Sequence, residues 1–273
     1  MGAETGEGGL TQLAGKVVWV TGASGGLGEA LARAASQRGA KLILTARRAA
    51  ELERVRAACA DPTRVAVLPL DLLQLDDPDA AAREAGKHFG PIDVLVNNAG
   101  ISQRSRVLDT SLDVYRRIFE LDFFATVALT KAVLPGMVRR KSGHVVVVSS
   151  VVGYISSPLR SGYAAAKHAL HGFYDAARAE HWRDGVKFTL ACPGYVKTDV
   201  SVNAITGDGG RHNKVDPSIA RGVEPAACAE VIWRAVEKDR EEVLVGREAL
   251  VVYLKRFFPA LFSWAVNRAD PIQ

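Results

Sequence analysis

The chain of 273 residues has three cysteines, two methionines and few aromatic residues. Cys59, Cys192 and Cys228 are scattered, with neither metal-ligand spacing nor the even count of a disulfide framework. They read as small hydrophobes in a reducing compartment, so no metal and a cytoplasmic location are expected. No block of lysine and arginine with interleaved aromatics occurs, which leaves nucleic-acid binding unsupported. No run approaches the roughly 18 uninterrupted apolar residues of a spanning helix, so none is expected. The first twelve residues, rich in Gly, Glu and Thr, carry no apolar signal-peptide core, and residues 1–13 read as a flexible lead-in. Repeats and internal linkers are also lacking. One domain is expected over 14–246, followed by a C-terminal amphipathic helical extension of the same domain over 247–273.

What is present is an ordinary globular balance, 48% hydrophobic and 24% charged, with a formal charge of +5. The mild positive charge suits an anionic cofactor or headgroup, and a solvated surface equally well. Short apolar runs alternate with helical stretches. Residues 17–21, 41–46, 65–70, 92–96, 144–149, 186–192 and 242–245 read as strands. Most are continuous rather than alternating, as in parallel strands buried on both faces. Helices are expected over 27–38, 49–60, 77–89, 112–140, 161–183 and 225–238. This alternation predicts an α/β fold, a doubly wound parallel sheet of about seven strands with helices on both faces.

Thr21-Gly22-Ala23-Ser24-Gly25-Gly26-Leu27-Gly28 joins the first strand to the first helix. Glycines there let the backbone approach a pyrophosphate, and a helix N-terminus offers free N–H groups and a positive dipole end. The second strand ends Thr45-Ala46-Arg47-Arg48, without the carboxylate that would bind a ribose 2′-hydroxyl. Two guanidiniums suit a 2′-phosphate instead, which favours NADP(H), with Arg47 the main contact and Arg48 the second. Tyr163 and Lys167 stand four residues apart in a helical stretch, on one face. A cation beside a phenol favours the phenolate and makes tyrosine a usable acid or base near neutral pH. Ser150 lies thirteen residues before that tyrosine.

The glycine loop, Asp71-Leu72, Asn97-Asn98-Ala99-Gly100, Ser150, Tyr163-x-x-x-Lys167 and Pro193-Gly194-Tyr195-Val196-Lys197-Thr198 occur in an order that resembles the short-chain dehydrogenase/reductase family over residues 14–246. The resemblance implies a single-domain Rossmann-like fold and an NADPH-dependent carbonyl reductase or alcohol dehydrogenase. It implies that Gly22, Ser24, Gly26, Leu27 and Gly28 wrap the pyrophosphate and that Asp71 and Leu72 meet the adenine. Asn98, Ala99 and Gly100 would border the adenosine ribose. Pro193, Gly194 and Val196 would line the nicotinamide bed, with Thr198 on the carboxamide. Tyr163 would act as proton donor, Ser150 would hold the carbonyl oxygen, and Lys167 would bind the nicotinamide ribose. Where the family has an asparagine completing the proton relay, this chain has Asp122, which accepts hydrogen bonds but does not donate them when ionised. Asp122 is kept as a fourth catalytic candidate. A homodimer or homotetramer built on the helices near 112–140 and 161–183 is also implied.

Residues 199–223 read as a glycine-containing substrate lid, with Arg211, His212, Lys214 and Arg221 either solvated or meeting an anionic group. The apolar stretch from Leu250 to Trp264, punctuated by Lys255, Arg256 and Pro259, either covers the pocket or a subunit contact, or lies on a lipid surface. Residues 201–211 and Ser157-Pro158-Leu159-Arg160-Ser161 further resemble the branch that reduces acyl- or alkyl-dihydroxyacetone phosphate, so a lipid-like or steroid-like ketone is expected. The alternative is a nucleotide-sensing or partner-binding protein with the same fold and little turnover.

Overall fold

The computed structural model describes residues 12–268. In chain order the elements are β1 (Val17–Thr21), α1 (Gly26–Gln37), β2 (Lys41–Thr45), α2 (Ala49–Ala57), β3 (Val65–Val67), α3 (Pro78–Phe89), β4 (Val94–Asn97), α4 (Leu112–Phe119), α5 (Ala125–Arg140), β5 (Gly143–Val148), α6 (Ser161–Glu180), β6 (Val186–Pro193), α7 (Pro217–Ala220), α8 (Pro225–Glu237), β7 (Glu242–Val245), α9 (Ala249–Phe257) and α10 (Pro259–Arg268). The seven strands are all parallel, in the order β3-β2-β1-β4-β5-β6-β7. The order reverses between β1 and β4, and a ligand crevice opens at the carboxyl ends of strands at such a point.

Strand periodicity divides the core in two. Val18 and Val20 of β1 face one way, with Leu31 of α1, Leu52 of α2 and Trp233 of α8. Val17 and Trp19 face the other way, with Leu129 and Met137 of α5 and Tyr174 of α6. Each such fully buried side chain contributes roughly 1.5–3 kcal/mol of transfer free energy, which makes the two layers the main source of stability. The polar exceptions are paired. The Asn97 amide donates to Thr130 Oγ1 at 3.0 Å, and Thr130 is 2.6 Å from the Tyr174 hydroxyl, which ties β4 to α5 and α6.

Several boundaries differ from expectation. The strand read over 65–70 stops at Val67, two residues before Pro69, which has no N–H to give the ladder. The helix read over 112–140 is interrupted by a π-helical turn over Glu120–Phe124. By length and composition alone 112–140 is apolar enough to cross a membrane, against the expectation that no helix would be. Its Leu129, Val133 and Met137 are nevertheless packed in the core. Most of the stretch read as a lead-in, residues 1–11, lies outside the described residues, and Leu13 is buried in the core. The 199–223 segment is anchored: Ile205 donates to Ser102 O and accepts from Arg104 N, each at 2.9 Å, and Ala204 and Ser201 are buried. Pro259 divides the C-terminal stretch into α9 and α10, as its lack of an N–H requires.

Candidate active site

Along the carboxyl ends of the strands runs a cleft of about 920 Å³. Its nucleotide end is built from β1 and the loop after it. Gly22 has φ +64°, and a Cβ there would lie 2.8 Å from Ala99 Cα. A Cβ on Gly28 would lie 2.2 Å from Gly22 O. Both positions therefore exclude a side chain, and the backbone folds tightly enough to present the N-terminus of α1 to the cleft. Thr21 and Asn98 hold this turn against β4. The Asn98 amide donates to Thr21 O at 3.0 Å and to Gly22 O at 3.3 Å, while Thr21 Oγ1 accepts from the N–H groups of Asn98 and Ala99. Asn98 thus braces the glycine loop with its side chain, a role its place in the motif does not reveal.

Gly22, Ser24, Gly26, Leu27, Gly28, Asp71, Leu72, Asn98, Ala99 and Gly100 all line this end of the cleft. Arg47 and Arg48 join them at the end of β2, both exposed, with Arg48 Nη2 3.4 Å from Ser24 Oγ. The neighbouring Arg54 is committed elsewhere, to Glu29 at 2.7 Å and Glu51 at 2.9 Å. The residues fit a dinucleotide: glycines where a Cβ would clash, a helix N-terminus for phosphate and guanidiniums beyond it.

Ser150, Asp122, Tyr163 and Lys167 stand at the other end with Pro193, Gly194, Val196 and Thr198. Ser150 follows β5 and caps a short 3₁₀ turn: its Oγ accepts from Val152 N and donates to Pro193 O, each at 3.2 Å. Lys167 is buried in α6. Its ammonium lies 5.5 Å from the centroid of the Tyr163 ring, donates to Val148 O at 3.1 Å and sits 3.3 Å from Asp122 Oδ2. The π-turn aims Asp122 inward, and its Oδ1 accepts from Ile101 N at 2.8 Å. A Cβ on Gly100 would lie 2.9 Å from Asp122 Oδ2, so the glycine makes room for the carboxylate.

Burial disfavours charge on Lys167, but Asp122 and Tyr163 outweigh it and hold the ammonium above the ordinary lysine range. Burial pushes the Asp122 carboxyl up, against the pull of Lys167 and the Ile101 N–H. Cys192, another titratable group near Lys167, is pushed up by burial to about 12 and is a neutral thiol.

Three features escaped the sequence. Asp216 accepts from Arg104 at 2.5 Å and from Arg160 at 3.0 Å, a clasp joining the 199–223 segment to the loop before Tyr163. The partners are far apart in the chain, and only the Arg160 position within its motif hinted at it. Glu248 places a buried Oε2, without a hydrogen-bond partner, beside Gly194 in the cleft wall. His171, Cys192 and Glu242 bring ligand-type atoms within 4.8 Å of one another from three separate elements, which linear cysteine spacing could not show. His171 Nε2 is already 2.9 Å from Ser149 Oγ.

The family model for short chain dehydrogenase matches residues 16–208. The chain is 42% identical over 264 residues to a dehydrogenase/reductase SDR family protein 7-like of Anopheles gambiae, covering 94% of this chain and 83% of that one. It is 40% identical to human dehydrogenase/reductase SDR family member 7 (94% and 78% covered) and 43% identical to bovine member 7B (90% and 78% covered). These names place its likeness with members 7 and 7B, and none of them carries the dihydroxyacetone-phosphate reduction expected from the 201–211 stretch. A crystal structure of a short-chain dehydrogenase from Streptomyces avermitilis superposes with a TM-score of 0.80 at 31% identity, covering 95% of this chain and all of that one. One from Burkholderia phymatum, in complex with NAD, has the same TM-score at 23% identity, with 97% and 100% covered, a likeness of fold. The protein belongs to the short-chain dehydrogenase/reductase family, whose members are nicotinamide-dinucleotide-dependent oxidoreductases acting on CH–OH and C=O groups.

Proposed function

We propose that the protein is an NADPH-dependent carbonyl reductase for a bulky apolar ketone, lipid-like or steroid-like, running in reverse on the secondary alcohol. The observation that carries this reading is the buried Lys167 ammonium 5.5 Å from the Tyr163 ring, in the cleft that also holds the glycine loop. A bound nicotinamide supplies hydride to the carbonyl carbon, or removes it from the alcohol carbon. Ser150 turns its hydroxyl from Pro193 O to the substrate oxygen and stabilises the charge that grows there. Tyr163 protonates that oxygen. The Lys167 ammonium faces the ring of that tyrosine, and Asp122 keeps the ammonium charged and in place. NADPH is preferred because Arg47 and Arg48 project where the second strand ends without a carboxylate.

The apolar substrate class rests on the size of the cleft and on Val151, Val152, Ile155, Ile219 and Val251 in its wall. The exposed Leu112, Phe124 and Trp182 on α4, near the start of α5 and just past α6 support a homodimer or homotetramer built on those helices. A ketone panel spanning steroids, long-chain ketones and phosphorylated lipid ketones, followed by NADPH oxidation, tests the reading. Turnover with the large apolar members and little with small polar ones is expected. Cofactor binding with no oxidation of NADPH by any carbonyl and no reduction of the oxidised cofactor by any alcohol would instead indicate a nucleotide-sensing protein.

A further inference from the structure

The enzymatic reading uses only Val251 of α9, in the cleft wall, and nothing of α10. Neither helix has a buried residue. Leu250, Tyr253, Phe257, Phe258, Leu261 and Trp264 are each more than half exposed. More than two-fifths of the large exposed apolar side chains among the described residues thus come from under a tenth of the chain. Scattered exposed apolar residues are normal, but such a concentration marks a contact surface.

Charge identifies the partner. Residues 249–268 include no aspartate or glutamate, whereas Lys255, Arg256 and Arg268 are present, and the Glu248 before them turns its carboxylate into the cleft wall beside Gly194. A twofold contact through this patch would bring the same cations of two copies together. An anionic lipid surface pairs them instead, and accommodates tryptophan, tyrosine and phenylalanine at headgroup depth. The patch is held firmly to the enzyme: Lys255 Nζ donates to Tyr154 O at 2.7 Å, in the turn after Ser150. Val251 of α9 lines the cleft while Leu250 beside it is exposed, so one helix borders both the substrate site and the patch.

We infer that α9 and α10 form an interfacial platform that docks the protein on an anionic membrane surface, with its cleft beside the lipid. Lipid binding is read without turnover, so the platform stands or falls separately from the proposed activity.

The test is flotation of the full chain with vesicles of phosphatidylcholine alone and with phosphatidylserine added, at low and high salt. The protein is expected to float with the phosphatidylserine vesicles and to be released by salt. Arg256→Glu with Arg268→Glu is expected to weaken that binding by at least about 25-fold, about fivefold for each cation lost. Phe257→Ser with Phe258→Ser is expected to abolish it, and both variants keep the wild-type circular dichroism spectrum and NADPH affinity. Failure of the wild-type chain to float with either vesicle would overturn the proposal. So would equal flotation of the variants, or a concentration-dependent dimer in sedimentation that the phenylalanine variant abolishes, which would assign the patch to a second copy.

Discussion

Asp122 and Lys167 form a buried ion pair, with 3.3 Å between Oδ2 and Nζ, beneath the ring of Tyr163. The carboxylate anchors the cation whose field acts on the phenol. Asp122→Asn removes the charge that raises the proton affinity of Lys167 while keeping the side chain's size. Lys167 then loses its proton at a lower pH than in the parent protein. The alkaline limb of the pH–turnover profile is therefore expected to move to lower pH, with cofactor affinity little changed. A profile that scales down without moving would show that Asp122 acts only as a strut.

Gly28 cannot carry a side chain without displacing Gly22 O, which a Cβ would approach to 2.2 Å. Gly28→Ala forces the turn open where phosphate is to bind. Nucleotide affinity should fall by at least about tenfold, the cost of one lost charge-assisted hydrogen bond, while the far-UV circular dichroism is unchanged. Calorimetric titration with NADPH measures this.

Arg47 and Arg48 are exposed on the cleft just after β2, where we propose that the 2′-phosphate binds. Arg47→Ala is expected to raise the KM for NADPH by about 10- to 100-fold and to leave that for NADH within a few-fold, with Arg48→Ala smaller in the same direction. Equal effects on both cofactors would place these arginines outside the selectivity site.

His144 is buried in β5, and burial, aided by Lys187, lowers its pKa to about 3. Burial likewise lowers His171 to about 4. In the unfolded chain both protonate near the ordinary histidine value of about 6.5. Below that pH the unfolded state takes up protons that the folded state refuses, so stability falls as pH drops. For His144 the loss approaches about 1.4 kcal/mol per pH unit and continues down to the folded pKa. Urea midpoints at pH 7 and pH 4.5 should therefore differ more for the parent than for His144→Gln. The variant itself loses about 1 kcal/mol at pH 7, where the bond to Thr189 at 2.8 Å is weakened.

The parts legible in the sequence were those written in local chemistry. Continuous apolar runs marked β1, β4 and β5, Pro225 began α8, and Gly22, Ser24, Gly26, Gly28, Ser150, Tyr163 and Lys167 line one cleft, whereas Asn97 and Lys197 of the same motifs do not. Asp122 was recognised by its place in a motif, but not the π-turn that aims it, because the apolar pattern of 112–140 runs unbroken through it. The Arg104–Asp216–Arg160 clasp and the Glu248 wall were invisible for another reason: they join residues that only the fold brings together.

Kinetics of Tyr163→Phe, with NADPH affinity measured on the same protein, test the central claim most directly. Loss of at least about 100-fold in turnover of the best ketone, with nucleotide affinity retained, is the predicted result. Turnover within a few-fold of the parent protein would contradict it, since the proton would then come from elsewhere.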